Sequence, residues 1–220
     1  MDSPHVRVFL RPIGSPVTIG LAGLAIASLV QSGLDLHWIG KDQTHYVGLI
    51  LISVPFVMQF MASVFAYLAR DGAAGATLGI LASTWLGYGL IHIYSKPGST
   101  SGAVGLLLLA SGGMLLLSSA AVSVLKPLVG GVFAVEAVRW LCAGIYELSR
   151  VHGWEHAAGI IGCVVTGLAA YSVVAFELEG QKHRPVLPTL RRGGGRAAVQ
   201  AGLEAQTQGL VNEAGVRQTS

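Results

Sequence analysis

The chain has 220 residues, of which 52% are hydrophobic and only 11% charged, with a formal net charge of +3. A soluble globular domain is usually about one-quarter charged, so this composition indicates a membrane protein and argues against a soluble enzyme or binding module. The positive charge lies mostly beside the apolar stretches, where anionic lipid headgroups attract it, so no nucleic-acid partner is expected.

Six apolar stretches are long enough to cross a bilayer core of about 30 Å, which takes about 20 helical residues each. They are residues 17–34, 46–69, 75–94, 102–125, 128–149 and 157–178. The segments between them are short, so neighbouring helices are expected to pack antiparallel in one bundle. The predicted fold is therefore an all-α membrane protein with a bundle of six transmembrane helices.

Lysine and arginine beside the spans predict the orientation, because they are retained on the cytoplasmic side. An even number of spans places both termini on one side, and that side carries ten of these residues against three on the other. The ten are Arg7, Arg11, Arg70, Lys126, Lys182, Arg184, Arg191, Arg192, Arg196 and Arg217, and the three are Lys41, Lys96 and Arg150. Both termini are thus predicted to be cytoplasmic, in a multi-pass protein of the cell (inner) membrane.

The composition also divides the chain into segments. Residues 1–14 form a cytoplasmic N-terminal segment, and residues 15–188 form the six-helix membrane domain. Residues 189–220 are polar and Gly-rich with few large apolar side chains, so we expect a disordered cytoplasmic tail.

The first two spans contain three local signals. Ser15 is predicted as the N-cap of the first helix, with Pro16 at the first helical position, where its missing N–H has no cost. The positive end of that helix, facing the cytoplasm, suits an anion. In the second span Pro55 predicts a kink. Gln59, one turn further on, needs a partner in a neighbouring helix or a hydrated path, and both alternatives stay open.

Small residues recur every four positions in the third and sixth spans. The first stripe comprises Gly75, Gly79, Ser83 and Gly87, and the second comprises Ala158, Gly162, Thr166 and Ala170. Such stripes permit close helix packing in lipid. They predict either seams within one protomer or contacts between subunits.

Two charged residues, Glu136 and Arg139, lie within the apolar fifth span. Three residues apart on a helix, they share a face and can touch. Glu136 is expected about 15 Å along the helix from Lys126, near the middle of the bilayer. Charged groups at this depth normally face the bundle interior or a cavity. The pair is either a structural ion pair that sets the helix register or part of the wall of a path.

Five of the seven histidines map to the side opposite the termini: His37, His45, His92, His152 and His156. Imidazole has an ordinary pKa of about 6.5, so mild acidification would add positive charge there and gather anions. The alternative is that they are ordinary polar surface residues. His152 and His156 are four residues apart, but no third metal ligand is evident, and neither a metal nor another cofactor is expected. The sequence carries no catalytic motif, so we do not expect an enzyme.

Motifs at both ends of the membrane domain point to one family. From His156 the sequence HAAGIIGCVVTGLAAYSVVAFELEGQKHRPVLP follows the pattern HxAGxxG, then AxY, then RxVLP, and includes Gly159 and Tyr171. SPVTIGLAG, residues 15–23, is similar to NPAPLGLxG and retains Pro16 and Gly20. On these motifs, with Gln59 and GATLG at residues 75–79, the chain resembles the acetate uptake transporter family, which includes bacterial succinate-acetate permeases.

This resemblance implies a membrane channel or transporter for acetate and similar small carboxylates, with succinate as a further candidate and protons as candidate co-substrates. It also implies a homo-hexamer in which each protomer has its own path. Three family constriction positions align with Leu24, Leu86 and Glu136, while Ser15 and Thr18 replace family Asn and Pro residues. With Gln59 and Arg139 these are the predicted path residues, Arg139 offering a bidentate donor to a carboxylate that Glu136 keeps from binding too tightly. A structural or accessory membrane subunit without transport activity is the alternative.

Overall fold

The computed structural model describes residues 14–182, 184–193 and 196. Six helices account for nearly all of the first range: α1 Val17–Asp35, α2 Lys41–Leu68, α3 Gly72–Tyr94, α4 Gly102–Ser123, α5 Pro127–Ser149 and α6 His152–Lys182. Each is long and apolar enough to cross a membrane, and the described residues contain no strand. The predicted six-helix fold is confirmed, although α2 and α6 begin at least one turn earlier than expected.

The helices pack in chain order as a closed ring, since each contacts the next and α6 returns to α1. The short connections make neighbours antiparallel. We call the end at which α1, α3 and α5 finish the histidine end, because His37, His152 and His156 lie there. The interior of the ring is filled by large buried side chains, among them Leu21, Leu24, Leu81, Trp85, Phe133 and Trp140.

The start of α1 differs from the prediction for Ser15. The helix begins at Val17, its cap position is Pro16 with helical angles (φ −71°, ψ −16°), and no side chain caps it. A capping side chain needs the cap residue in the extended region, and Pro16 is not extended. Ser15 therefore lies exposed outside the helix, and the prediction that it is the N-cap is wrong.

The proline in α2 is accommodated within a continuous helix. A 3-10 turn at Lys41–Gln43 leads into α-helix Thr44–Leu51, a π turn at Ile52–Phe56 contains Pro55, and α-helix Val57–Leu68 follows. A π turn is a common response to a missing backbone N–H, because it widens the helix locally by one residue.

The small-residue stripes pack largely within the protomer. In α3, Gly75 lies against the ring of Tyr67, and a Cβ at Gly79 would be 3.1 Å from Ser63 Oγ, so both face α2. In α6, the Thr166 hydroxyl is 3.4 Å from the Ala25 carbonyl of α1. These members of the stripes thus lie in intramolecular seams that let neighbouring helices approach closely, whereas Ser83 and Ala170 are exposed.

The segment after α6 returns to pack on the end of the bundle opposite the histidine end. Tyr171 donates a hydrogen bond to the Pro188 carbonyl (3.1 Å), and Arg191 Nε donates to Glu179 (2.8 Å). The Arg192 amide donates to the Leu125 carbonyl (3.0 Å). The predicted tail therefore begins with packed residues, while residues 1–13, 183, 194–195 and 197–220 lie outside the described residues.

Candidate functional site: a polar cavity above a buried arginine

A cavity of about 70 Å³ lies at the histidine end, and all six helices contribute to its wall. Its charged and polar lining residues include Gln31, Asp35, Lys41, Thr44, Tyr88, His92, Lys96, Tyr146, Glu147 and Glu155. A concave site with several convergent polar groups, set in the end of an otherwise apolar bundle, is the default candidate for ligand binding.

The interior face of α1 is apolar in the first half of the helix and polar in the second half. Val17, Leu21 and Leu24 are buried in its first half, whereas Ser28, Gln31 and Asp35 are buried in its second half. These positions recur every three or four residues and therefore share one face of the helix. The half of α1 nearer the cavity consequently presents polar groups to the bundle interior.

Arg139 is the centre of the buried polar cluster, with only 1% of its surface exposed. Its two terminal nitrogens bind different carboxylates: Nη1 is 3.1 Å from Glu136 Oε1, and Nη2 is 3.2 Å from Asp35 Oδ2. Glu136, wholly buried, also accepts a hydrogen bond from the Ser28 hydroxyl (3.2 Å). The predicted contact between Glu136 and Arg139 is confirmed, and Asp35 is an additional partner.

Asp35 is not among the predicted path residues, because it lies just past the predicted end of the first span. The structure extends α1 to Asp35, which is its last residue. The signal that identifies it is spacing: Asp35 follows Ser28 by seven residues and Gln31 by four, so all three fall on one helical face.

Gln31 links the arginine cluster to the cavity. Its amide nitrogen donates to Asp35 Oδ1 (2.9 Å) and lies 3.5 Å from the Tyr88 hydroxyl. Its amide oxygen lies 3.0 Å from His92 Nε2. Asp35 and Gln31 both line the cavity, whereas Arg139 lies behind them and does not.

Several buried polar atoms in or near this cluster have no hydrogen-bond partner among the described residues. They are Ser32 Oγ, Trp85 Nε1, Arg139 Nε and Trp140 Nε1. The two indole rings lie edge to face with centroids 5.6 Å apart, and the Arg139 guanidinium carbon is 5.6 Å from the Trp85 ring centroid. Indole and guanidinium N–H groups are donors only, so this region has unused capacity for an acceptor oxygen.

Two glycines of α6 allow this arrangement. A Cβ at Gly162 would overlap Ser32 Oγ and Arg139 Nε, and a Cβ at Gly159 would be only 3.0 Å from the Asp35 Cβ. Gly159 belongs to the motif HxAGxxG, and here it lets the end of α1 approach α6.

The other predicted path residues lie in different surroundings. Gln59 is wholly buried in α2, and its amide donates to the Gly20 carbonyl of α1 (3.3 Å). Its oxygen has no partner among residues 14–182, 184–193 and 196. Leu24 is also wholly buried, Thr18 is nearly so, and Leu86 is half-buried beside the fully buried Trp85. Of the predicted path residues, only Glu136 and Arg139 belong to the buried polar cluster that also contains Asp35 and Gln31.

Three of the predicted histidines gather around Glu155 at the mouth of the cavity. His152 Nδ1 is 2.8 Å and His37 Nε2 is 3.7 Å from the Glu155 carboxylate, and Lys41 Nζ is 2.7 Å from it. The His156 ring lies edge to face with that of His37 (5.2 Å). His92 lines the cavity instead, and His45 contacts the Asp42 carbonyl (3.1 Å), apart from this cluster.

Comparisons with known proteins identify one family and one fold that this chain shares. The model of the GPR1/FUN34/yaaH family matches residues 2–190. The structure of the bacterial acetate channel SatP is similar with a TM-score of 0.72 and 18% identity, over 80% of this chain and 99% of that chain. No curated protein matches the chain in sequence. The family resemblance drawn from the motifs is thereby confirmed.

Proposed function

Because the chain belongs to the GPR1/FUN34/yaaH family, we propose that it is a membrane channel or transporter for acetate and similar small carboxylates, with succinate as a further candidate. Small carboxylic acids are almost wholly anionic at neutral pH, so their unaided diffusion through a bilayer is slow. A protein path is therefore useful to a cell that takes them up. The likeness of fold to a bacterial acetate channel supports the same substrate class.

The observation that carries the proposal is the buried guanidinium of Arg139 behind a polar cavity. A cation in the middle of a membrane-spanning bundle costs several kcal/mol unless it is paired, and it usually marks the route of an ion or substrate. Arg139 lies inside a ring of six helices, so an anion entering from the cavity meets it without leaving the protomer. Each subunit of the proposed homo-hexamer thus has its own path, from the histidine end toward the cytoplasm.

Under this proposal, each of the remaining path residues has a different role along the route. Glu136 holds Arg139 and limits how tightly an anion binds there. Leu24 and Leu86 narrow the route, Gln59 and Thr18 offer polar groups in its inner half, and Ser15 lies at its cytoplasmic end. Co-moving protons or the substrate gradient drive net uptake.

One observation favours the alternative of a structural or accessory subunit. Arg139 is 1% exposed and both of its terminal nitrogens are already held by protein carboxylates. A buried ion pair of this kind also fixes how helices pack, without any ligand. Transport and structural roles therefore have to be separated by measurement.

The test is flux of labelled acetate into liposomes that contain the purified protein, with succinate, lactate and formate as competitors. We expect Arg139→Leu to lower flux about tenfold or more, since a hydrogen bond to a charged group contributes about 1.5–3 kcal/mol. Arg191→Leu is the matched control, because Arg191 also binds one carboxylate but lies outside the six helices. Size-exclusion profiles would establish that both variants assemble. Wild-type protein without acetate flux would instead support the structural subunit.

A further inference from the structure

We propose that Asp35 occupies the carboxylate site of Arg139, and that a substrate carboxylate advances by taking the place of Asp35 on the guanidinium. This inference rests on the proposed transport of small carboxylates. It assigns Asp35 a part, beside that of Glu136, in setting how tightly the substrate binds and how fast it leaves.

The two carboxylates on Arg139 differ in how firmly they are held. Glu136 is wholly buried, three residues from Arg139 on the same helix, and is also bound by Ser28. Asp35 comes from another helix, and 11% of its side chain is exposed on the cavity wall. Asp35 lines the cavity, so its carboxylate has the cavity beside it as an alternative position. Glu136 is therefore the fixed partner and Asp35 the exchangeable one.

Because of its position in α1, Asp35 stays in place only while Arg139 and Gln31 bind its carboxylate. Asp35 is the last residue of α1, at the negative end of the helix dipole, where a carboxylate is disfavoured. Contacts with Arg139 (3.2 Å) and with the Gln31 amide (2.9 Å) offset this unfavourable position of the carboxylate. Once an incoming carboxylate occupies Arg139, the main interaction that holds Asp35 in place is lost.

The charge balance at Arg139 favours exchange of one carboxylate for another over the addition of a third carboxylate. Arg139 already faces two carboxylates, and a third would add a further uncompensated negative charge in a region of low dielectric. Replacement of Asp35 by a substrate carboxylate keeps the number of anions on Arg139 constant. The displaced Asp35 enters the cavity, whose wall carries Lys41 and Lys96 together with Glu147 and Glu155.

The neighbourhood of Arg139 has donors that Asp35 does not use. Arg139 Nε, Trp85 Nε1 and Trp140 Nε1 are without a partner in the part of the chain that the structure describes. A carboxylate accepts about four hydrogen bonds, and a free substrate is not tied to a helix as Asp35 is. A substrate carboxylate is thus able to accept hydrogen bonds from N–H donors that the described residues leave unpaired, which offsets the loss of the Asp35 contact.

The kinetic consequence separates this inference from a structural role. Asp35 competes with the substrate for one cation, so it weakens substrate binding and speeds release. Asp35→Asn keeps the shape and removes the competing charge. We expect its KM for acetate to fall about tenfold and its maximal flux to fall as well, because release becomes slower.

The experiment compares wild type, Asp35→Asn and Asp35→Ser in acetate-loaded flux assays and in binding titrations. Binding is followed by intrinsic tryptophan fluorescence as acetate replaces chloride at constant ionic strength. Asp42→Asn is the control, because Asp42 is an exposed acid at the same end and its loss changes the charge of the mouth equally. It should leave KM and maximal flux at wild-type values.

Each outcome decides one question. A lower KM with a lower maximal flux in either Asp35 variant supports exchange at Arg139. An unchanged or higher KM overturns it, as does failure of both variants to assemble, because an exchangeable side chain has to be dispensable for folding. If wild-type protein shows neither acetate flux nor an acetate-dependent fluorescence change, the proposed function itself fails, which is a separate result.

Discussion

At the scale of single residues, the burial of Arg139 depends on its partners. Removing the sole partner of a buried charge costs about 3–5 kcal/mol, because that charge is left uncompensated. Loss of Asp35 would leave Glu136 on Arg139. Glu136 and Asp35 approach Arg139 from different helices, α5 and α1, and they hold its two terminal nitrogens separately. The cluster therefore joins two helices while it keeps a cation inside the bundle. Structural support and substrate contact are compatible roles of the same guanidinium.

Glu155 organises the charges at the mouth of the cavity. Lys41, His37 and His152 all approach its carboxylate within 3.7 Å, and His156 packs against His37. Lys41 and Glu155 form an ion pair there, so a further positive charge at the mouth would attract anions.

We expect acetate flux at fixed anion concentration to rise as the external pH falls from about 7 to about 6, the range in which imidazole gains a proton. A variant with His37, His152 and His156 all changed to Gln should lose most of this rise. His45→Gln should keep it, because His45 lies apart from Glu155. Parallel pH profiles for the triple variant and the wild type would exclude these histidines from the pH response.

At the scale of elements, glycines determine which helix faces meet. Gly48 of α2 and Gly89 of α3 face each other closely, since a Cβ at Gly48 would be 2.6 Å from the Gly89 carbonyl oxygen. Gly162 has the same function between α6 and the side chains of Ser32 and Arg139. The contact sites are backbone surfaces without side chains, so even one added methyl group changes the spacing of two helices.

Gly162→Ala should destabilise the protein, because the new Cβ collides with buried Ser32 and Arg139. Overpacking of this kind costs about 1–3 kcal/mol, which corresponds to a decrease in Tm of about 3–10 °C in detergent. Gly167→Ala on the same helix is the control, since its Cβ meets nothing within 4 Å. Alanine stabilises an open helical position relative to glycine, so Gly167→Ala should equal or exceed wild type. Equal Tm values for the two variants would contradict this packing account.

At the scale of the whole molecule, the closed ring places the polar half of α1 and the ion cluster of α5 inside one protomer. The outer surface is apolar, with side chains such as Leu106 and Leu117 more than 60% exposed (64% and 70%). Such a surface suits lipid or a neighbouring subunit. The proposed direction of transport depends on which end of the ring faces the cytoplasm.

We expect the histidine end to face outward and both termini to be cytoplasmic, because ten of the flanking Lys and Arg residues lie on the side of the termini. An epitope tag after Ser220 should resist external protease in intact cells and be cleaved after permeabilisation. A tag inserted in the exposed connection between α3 and α4, residues 95–101, should be cleaved in intact cells. The reverse pattern would invert the proposed orientation.

Much of the fold follows from local features of the sequence. The number and approximate limits of the helices depend on runs of apolar residues, because a bilayer requires a minimum apolar length whatever the neighbours are. The contact between Glu136 and Arg139 follows from helical spacing alone. The cap of α1 was not predicted correctly from the local sequence, because Pro16 adopts helical angles and leaves Ser15 without a capping role.

The composition of the site was decided by tertiary structure. Asp35 and Arg139 are 104 residues apart, and His92 and Gln31 are 61 apart, so no local pattern relates them. They meet because the ring closes between α6 and α1, which brings the end of α1 against α5 and α3. The sequence by itself thus determined that a charged pair would lie within the membrane, and only the packing of six helices determined that Asp35, Gln31 and a cavity would join it.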